Sequence, residues 1–160
     1  MKKKILKYSI LFLSSIAVGC NDWLDVQPKS QVKEEELFKS EAGFREALTG
    51  IYTLMGRTTT YGGNNTMGFI DMIAQTYSSV NSGYTKALSY DYKDNAVKDI
   101  IDTMWNSNYN AIANCNYLLK NIAEKGSVMN EDLRQLVEGE ALALRAFLHF
   151  DLLRGYAPSF

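Results

Sequence analysis

The chain has few of the residues on which most protein chemistry depends. Its 160 residues include only two cysteines, two prolines and one histidine. A single histidine, His149, cannot build a histidine-based metal site and gives a Ser-His-Asp triad little to work with. Two cysteines in a chain of this length do not form a disulfide framework. The composition therefore argues against a metal site, a triad hydrolase or a disulfide-stapled scaffold, and we expect no cofactor.

Long hydrophobic segments are also missing. The apolar run at residues 8–18 (YSILFLSSIAV) is shorter than the roughly 20 residues that a membrane-spanning helix needs. It follows a basic start, MKKK, and ends in AVGC at residues 17–20. A basic region, a short apolar region and small residues before a cysteine are typical of a lipoprotein signal peptide. We therefore predict that residues 1–19 are removed and that Cys20 carries the lipid anchor.

A strong positive charge is missing as well. The formal net charge is −1, from 17 basic and 18 acidic side chains. Removal of residues 1–19 takes away four lysines and no acid, so 13 basic side chains remain against 18 acidic ones and the charge becomes −5. Phosphate binding needs a basic surface, so nucleic acid is not an expected partner. Cys115 is then the remaining free thiol, and we expect it to pack as a small apolar residue.

Helical periodicity dominates the rest of the chain. Residues 20–33 are expected to form an extended tether, because Pro28 and mixed polar residues discourage a helix. Apolar residues recur at helical spacing over 41–55, 96–125 and 131–156, with Ser40 and Asn130 as N-caps. No segment alternates convincingly with period two. The pattern predicts an all-α domain over residues 34–160.

The last two predicted helices are joined by a short connection at 126–130, which favours an antiparallel pair. Small residues lie where the two helices would approach, as in tetratricopeptide-like hairpins. These are Ala113, Gly139, Ala141, Ala143 and Ala146. The apolar face of the last helix is predicted to include Leu136, Leu148 and Phe147.

Residues 57–94 have a different composition. Thr, Gly and Asn are abundant, and only a short helix near 68–74 is expected. An irregular segment of this length is usually functional or disordered. Its many tyrosines argue against disorder.

The segment 138–158, EGEALALRAFLHFDLLRGYAP, resembles the signature helix of the SusD/RagB family. The opening of the mature chain (CNDWLDVQP, 20–28) and the triplet Gly50-Ile51-Tyr52 are similar to further family motifs. So is the order of Trp105, Tyr109, Ile112, Asn116 and Leu119. Ala157 departs from the glycine usual in the family. The resemblance covers the mature chain and implies a SusD-like N-terminal part of a longer protein, apparently truncated.

This resemblance implies a function of binding without bond chemistry. SusD-like proteins are outer-membrane lipoproteins of Bacteroidetes that bind glycans or other nutrients. They form a lid on a SusC-like TonB-dependent transporter. By this resemblance the chain would be anchored to the outer membrane through its N-terminal lipid alone. Asp22 and Asp25, close behind Cys20, would then belong to a signal for the outward-facing surface.

Sugars are held by aromatic faces and by amide or charged side chains. The candidate ligand-binding residues in the long loop are Tyr61, Asn64, Asn65, Tyr77, Asn81 and Tyr84. The alternative for each tyrosine is that it packs the loop against the helices. Trp105, Glu140, Arg145, Asp151 and Arg154 are assigned to the structural motif, with their charges bonded to neighbouring helices.

Two other functions compete with nutrient binding. A tetratricopeptide-type scaffold lipoprotein that binds a protein partner would need a clean concave groove, and the long loop counts against it. A glycan hydrolase would need two carboxylates about 5–9.5 Å apart. Glu140 and Asp151 share a helix face but lie about 16 Å apart along its axis. We therefore expect no catalytic residues.

Overall fold

The computed structural model describes residues 34–77 and 84–158, and these residues are helical with no β-strand. This confirms the predicted all-α class, while the likeness to tetratricopeptide hairpins stays a prediction. These two ranges contain six α-helices and one 3₁₀ turn, Gly126–Val128. The helices are α1 (Glu34–Leu37), α2 (Glu41–Met55), α3 (Phe69–Ile73), α4 (Thr85–Leu88), α5 (Asn95–Lys125) and α6 (Glu131–Tyr156). The signal peptide, Cys20, the tether at 20–33 and Asn81 lie outside the described residues.

The long helices begin where the capping residues predict. The Ser40 hydroxyl accepts a hydrogen bond from the Gly43 amide, and the Asn130 side chain accepts one from the Leu133 amide. Asp94 caps α5 in the same way. Each cap satisfies an amide that the first helical turn leaves without a partner. The predicted bounds of α2 and α6 agree with the structure, and α5 begins one residue earlier than predicted.

Helices α2, α5 and α6 form what we call the helical frame. Two contacts show that α5 and α6 run antiparallel: Asn116 contacts Arg145 midway along α6, and Ile101, earlier in α5, contacts Tyr156 at the end of α6. The frame encloses a core in which Phe44, Leu118 and Leu148 are at most 1% exposed. Cys115 is fully buried there, as expected for a small apolar residue.

The structure corrects part of the predicted apolar face of α6. Leu136 and Phe147, assigned to the main face of α6, are exposed by 56% and 46%. The buried side of α6 carries Leu133, Val137, Ala141, Leu148 and Leu152, so the prediction for Leu148 is confirmed. In α5 the buried stripe runs through Met104, Asn108, Ala111 and Cys115, whereas Trp105 is 40% exposed. α6 has apolar residues almost all round, so periodicity alone does not select its inner side.

Residues 57–77 and 84–94 are more regular than the sequence predicts. They form successive hydrogen-bonded turns around α3 and α4, and α4 was not expected. The glycines permit this tight path, since a Cβ on Gly62 would lie 2.1 Å from the Gly56 carbonyl oxygen. A second, smaller apolar cluster of Phe69, Met72, Ala87, Val97 and Met104 packs this segment on α5. Across the described ranges, no helix is both long and apolar enough to span a bilayer.

Candidate functional site

The turn segment after α2 is fixed to the frame by a fully buried hydroxyl. Thr60 is 0% exposed, and its Oγ1 lies 2.7 Å from the Met55 carbonyl oxygen and 3.0 Å from that of Leu54. These carbonyls belong to the last turn of α2, where helices leave acceptors without intrahelical partners. The Thr60 hydroxyl therefore satisfies carbonyl groups at the C-terminus of α2 and holds the following residues against that end of the helix.

Tyr61, a predicted ligand-binding residue, lies between this segment and α6. Its hydroxyl donates to Asp151 Oδ2 over 2.7 Å, and its ring lies 5.2 Å from that of Phe147. Burial, followed by the bond to Asp151, raises the pKa of Tyr61 well above its usual value of 10. The phenol is therefore a neutral donor under physiological conditions, and its hydroxyl is committed to Asp151.

The other predicted loop residues divide into bonded and exposed ones. Asn64 Oδ1 accepts a hydrogen bond from the Tyr84 hydroxyl at 2.8 Å. Asn65 Nδ2 donates to Asn108 Oδ1 at 3.1 Å. Tyr77 is 42% exposed. The structure thus brings Asn64 and Tyr84 together, and it attaches Asn65 to α5, while Tyr77 remains open to solvent.

Three of the four motif residues of α6 each contact a different element. Glu140 Oε2 accepts from the Tyr52 hydroxyl of α2 at 2.8 Å. Arg145 Nη1 donates to Asn116 Oδ1 of α5 at 2.9 Å. Asp151 accepts from Tyr61 and also from Arg154, one turn further along α6. These contacts join α6 to its neighbours at three positions along its length. The charged side chains therefore do not form one cluster.

Trp105, the remaining motif residue, lies in a group of surface aromatic rings. Its ring centroid is 4.7 Å from that of Tyr109 and 4.9 Å from that of Tyr156, which it meets edge-on. The Tyr156 hydroxyl donates to the Ile101 carbonyl oxygen at 2.9 Å, although Ile101 lies within α5. Burial raises the pKa of Tyr156 to about 12. Trp105 therefore packs on the end of the α5–α6 pair while keeping part of its ring exposed.

A cavity of about 550 Å³ opens between α3, α5 and the last turn of α6. Its volume lies within the range usual for small-molecule sites, about 300–1,000 Å³. Its polar and aromatic lining residues are Asn65, Tyr92, Asn108, Asp151, Arg154 and Tyr156. Its apolar lining residues are Phe69, Ile70, Ile73, Ile101, Met104, Leu152 and Gly155, the last a glycine among larger side chains. An apolar wall with a few convergent polar groups is the usual composition of a binding pocket.

Sequence reasoning reached this cavity only in part. It selected Asn65 for ligand binding and assigned Asp151 and Arg154 to the structural motif, and all three line the cavity. It missed Asn108, which is 2% exposed, and Tyr156. Asn108 lies among the buried residues of α5. A buried amide needs polar partners, so an asparagine at this position could have indicated a polar contact beside the helix. Among residues 34–77 and 84–158, no three His, Cys, Asp or Glu side chains could jointly hold a metal ion.

A family model described as "Starch-binding associating with outer membrane" matches residues 22–160. The chain belongs to the SusD-like family. The SusD-like protein P25 of Formosa agariphila is 23% identical over 98% of the chain and 31% of the relative. The SusD-like protein P38 of the same organism is 26% identical over 99% of the chain and 31% of the relative. No solved structure gave a significant match.

The family match covers the signature helix, which is α6, and the whole of the cavity lining. The chain spans about a third of the length of the curated SusD-like relatives that it matches.

Proposed function

We propose that this chain acts in an outer-membrane lipoprotein that binds a glycan or another nutrient and passes it to a SusC-like TonB-dependent transporter. The observation that carries the proposal is the match of residues 22–160 to a starch-binding family that associates with the outer membrane. The protein then works by binding and catalyses no reaction. In the described residues, Glu140 and Asp151 each accept a bond from a different tyrosine, which supports a structural use of both carboxylates.

The cavity beside α6 is the proposed contribution of this chain to nutrient binding. Tyr92 is 47% exposed at its wall and offers a ring face for the C–H surface of a sugar. The Arg154 guanidinium, which lies on the exposed side of the cavity, is a suitable donor to hydroxyl groups. The Asn108 amide is already bonded to Asn65 and to the Met104 carbonyl oxygen, so it shapes the cavity wall. Asp151 is already held by Tyr61 and Arg154, so it orients the arginine at the cavity edge.

Two tyrosines of similar exposure allow a matched test of the site. Tyr92 lines the cavity and Tyr77, 42% exposed, does not. We expect Tyr92→Ala to weaken binding of starch-derived oligosaccharides to the full-length protein by about twofold to tenfold, the size of a lost aromatic contact. Tyr77→Ala should leave the affinity unchanged in the same calorimetric titration. The reverse result would move the site to Tyr77, and equal affinities in both variants would remove the cavity from nutrient binding.

Anchoring and orientation need separate tests. We propose that Cys20 carries the lipid, that residues 1–19 are removed and that Asp22 and Asp25 help direct the protein to the cell surface. Cys20→Ser should abolish incorporation of labelled fatty acid and release the protein from membranes. Protease treatment of intact cells should digest the wild-type protein if it faces outward. Digestion only after the outer membrane is broken would contradict that orientation.

A protein-binding scaffold is the second candidate function. It is favoured by the exposed apolar residues of α6, among them Phe150 at 57% and Leu153 at 63%. Copurification from membranes distinguishes the two candidates. A transporter barrel recovered together with glycan affinity supports nutrient uptake, whereas a soluble protein partner without glycan affinity supports the scaffold.

A further inference from the structure

The ends of α3 and α4 are joined by two reciprocal hydrogen bonds. Gln75 lies just after α3, and its Nε2 donates to the carbonyl oxygen of Leu88, the last residue of α4, over 2.7 Å. Tyr90 lies just after α4, and its hydroxyl donates to the carbonyl oxygen of Ile73, the last residue of α3, over 3.0 Å. Each acceptor is at a helix C-terminus, where carbonyl groups have no partner within the helix. We call this pair of bonds the clasp.

Both donors of the clasp have an unusual backbone conformation. The angle φ is 59° at Gln75 and 56° at Tyr90, and no other non-glycine residue in the ranges 34–77 and 84–158 has a positive φ. Residues with a Cβ adopt this left-handed region rarely, and they keep it only where the surrounding structure holds them there. Each strained residue is itself a donor of the clasp, so the clasp contributes directly to holding both backbones. Such strain is concentrated at ligand-binding and switching sites in proteins.

Helices α3 and α4 need such support because they are short. They contain five and four residues. Isolated helices of fewer than about 12 residues are marginal in water. The buried sides of α3 and α4 contribute Phe69, Met72 and Ala87 to the smaller apolar cluster. Gln75 and Tyr90 are exposed and lie outside that cluster. The clasp therefore joins the two helices where the apolar packing between them ends.

The clasp adjoins the wall of the cavity. Ile73 lines the cavity, and so does Tyr92, which lies in the turn that begins at Tyr90. The Tyr92 amide donates to the Tyr90 carbonyl oxygen over 2.9 Å, and the two rings lie 6.4 Å apart. Gln75 and Tyr90 are not among the lining residues themselves. A change in the Tyr90 backbone would therefore displace the Tyr92 ring at the cavity wall without removing a lining side chain.

We propose that Gln75 and Tyr90 are positioning residues that hold the Tyr92 ring ready for a sugar. This inference rests on the proposed role of the cavity in nutrient binding. Tyr92 is 47% exposed, so packing of its own side chain restrains the ring only in part. A ring that becomes ordered only on binding lowers the affinity, because its loss of conformational entropy is then part of the binding free energy. The clasp reduces that loss by ordering the turn beforehand.

Matched glutamine substitutions test the inference in the full-length protein. Gln75→Met removes the donor and keeps a side chain of similar length. Gln135→Met is the control, because the exposed Gln135 side chain also donates a hydrogen bond, to Glu131 at the start of α6, and does not line the cavity. In calorimetric titration with maltoheptaose, Gln75→Met should weaken the affinity about twofold to fivefold, whereas Gln135→Met should leave it unchanged. Wild-type affinity in both variants would overturn the inference.

A second comparison separates positioning from a general loss of stability. In protein that already carries Tyr92→Ala, Gln75→Met should cause no further loss of affinity, because its effect acts through the Tyr92 ring. Tyr90→Phe keeps the aromatic ring and removes the hydroxyl, so it should behave like Gln75→Met in both backgrounds. A loss of the same size with and without the Tyr92 ring would mean that the clasp acts by another route, and the inference would be wrong.

Amide hydrogen exchange without sugar tests the clasp whatever the cavity binds. Gln75→Met and Tyr90→Phe should each raise the exchange rates of residues 84–94 by at least about threefold, because the turn opens more often without the clasp. Gln135→Met should leave these rates unchanged. Unchanged rates in all three variants would overturn the inference. If Tyr92→Ala keeps the wild-type affinity, the proposed role of the cavity is wrong, and these rates alone then decide whether the clasp holds the turn.

Discussion

The helical frame and the segment between α2 and α5 are stabilised by different interactions. The frame buries large aliphatic and aromatic side chains, and Phe38, Phe44 and Leu148 are at most 1% exposed. The segment has a smaller apolar cluster and relies on hydrogen bonds from tyrosine, threonine and asparagine side chains. The free energy from apolar packing grows with the apolar area that is buried. A buried hydrogen bond instead contributes only when its donor and acceptor are correctly placed. We therefore expect a truncated side chain to cost more free energy of unfolding in the frame than a lost hydrogen bond costs in the segment that borders the cavity.

The largest effect is expected from removing a frame side chain. Phe44 is fully buried, and its ring centroid lies 4.8 Å from that of Phe38. Phe44→Ala should lower the free energy of unfolding by about 3–5 kcal/mol, because a cavity replaces the ring. Urea unfolding followed by circular dichroism measures the change. Glu46→Ala is the control on the exposed side of α2, with an expected loss below about 1 kcal/mol. Similar losses in both variants would contradict the assignment of inner and outer faces.

A smaller effect is expected from the bond between the segment and α6. Tyr61→Phe removes the hydroxyl that donates to Asp151, a carboxylate whose side chain is only 11% exposed. Hydrogen bonds to charged groups contribute about 1.5–3 kcal/mol, and the remaining bond from Arg154 should keep the loss at the lower end.

Tyr52→Phe provides the matched control for Tyr61→Phe. The Tyr52 hydroxyl also donates to a carboxylate of α6, Glu140, but Tyr52 is 46% exposed. Water replaces a lost bond more easily at such a site, so the urea midpoint should change less than in Tyr61→Phe. A larger change in Tyr52→Phe would reverse the comparison between the frame and the segment.

Much of the frame could be predicted from the sequence because its signals are local. Ser40 and Asn130 bond to amides three residues ahead, so each cap is visible within one helical turn. The stripe of Phe44, Leu48, Ile51 and Met55 is likewise contained within α2. Periodicity was wrong for Leu136 and Phe147 of α6, since apolar residues lie on several sides of that helix and the edge of the buried side depends on α2 and α5.

The candidate site could be predicted only in outline because its contacts are distant in sequence. Tyr61 and Asp151 are 90 residues apart, and Asn65 and Asn108 are 43 apart. The abundance of tyrosine and asparagine after α2 predicted polar contacts there, but no local pattern distinguishes a tyrosine that bonds to α6 from one that faces a ligand. The cavity itself forms where α3, α5 and α6 meet, which only the folded arrangement shows.

Alkaline pH should weaken the contacts of a buried tyrosine and leave the apolar packing unchanged. We expect this to be the smallest of the predicted changes in the free energy of unfolding. Burial raises the pKa of Tyr156 from 10 in the unfolded chain to about 12 in the folded protein. A raised phenol pKa stabilises the fold fully below pH 10, and this contribution is lost as the pH rises through about 12. Because Tyr156 is only partly buried, screening by solvent keeps the contribution small.

Urea unfolding between pH 9 and about pH 12 should therefore show that the free energy of unfolding declines slightly less in Tyr156→Phe, which cannot ionise, than in the wild-type protein. Parallel curves for wild type and variant would mean that Tyr156 is no more buried than in the unfolded chain, and the packing at the end of α5 and α6 would need to be revised.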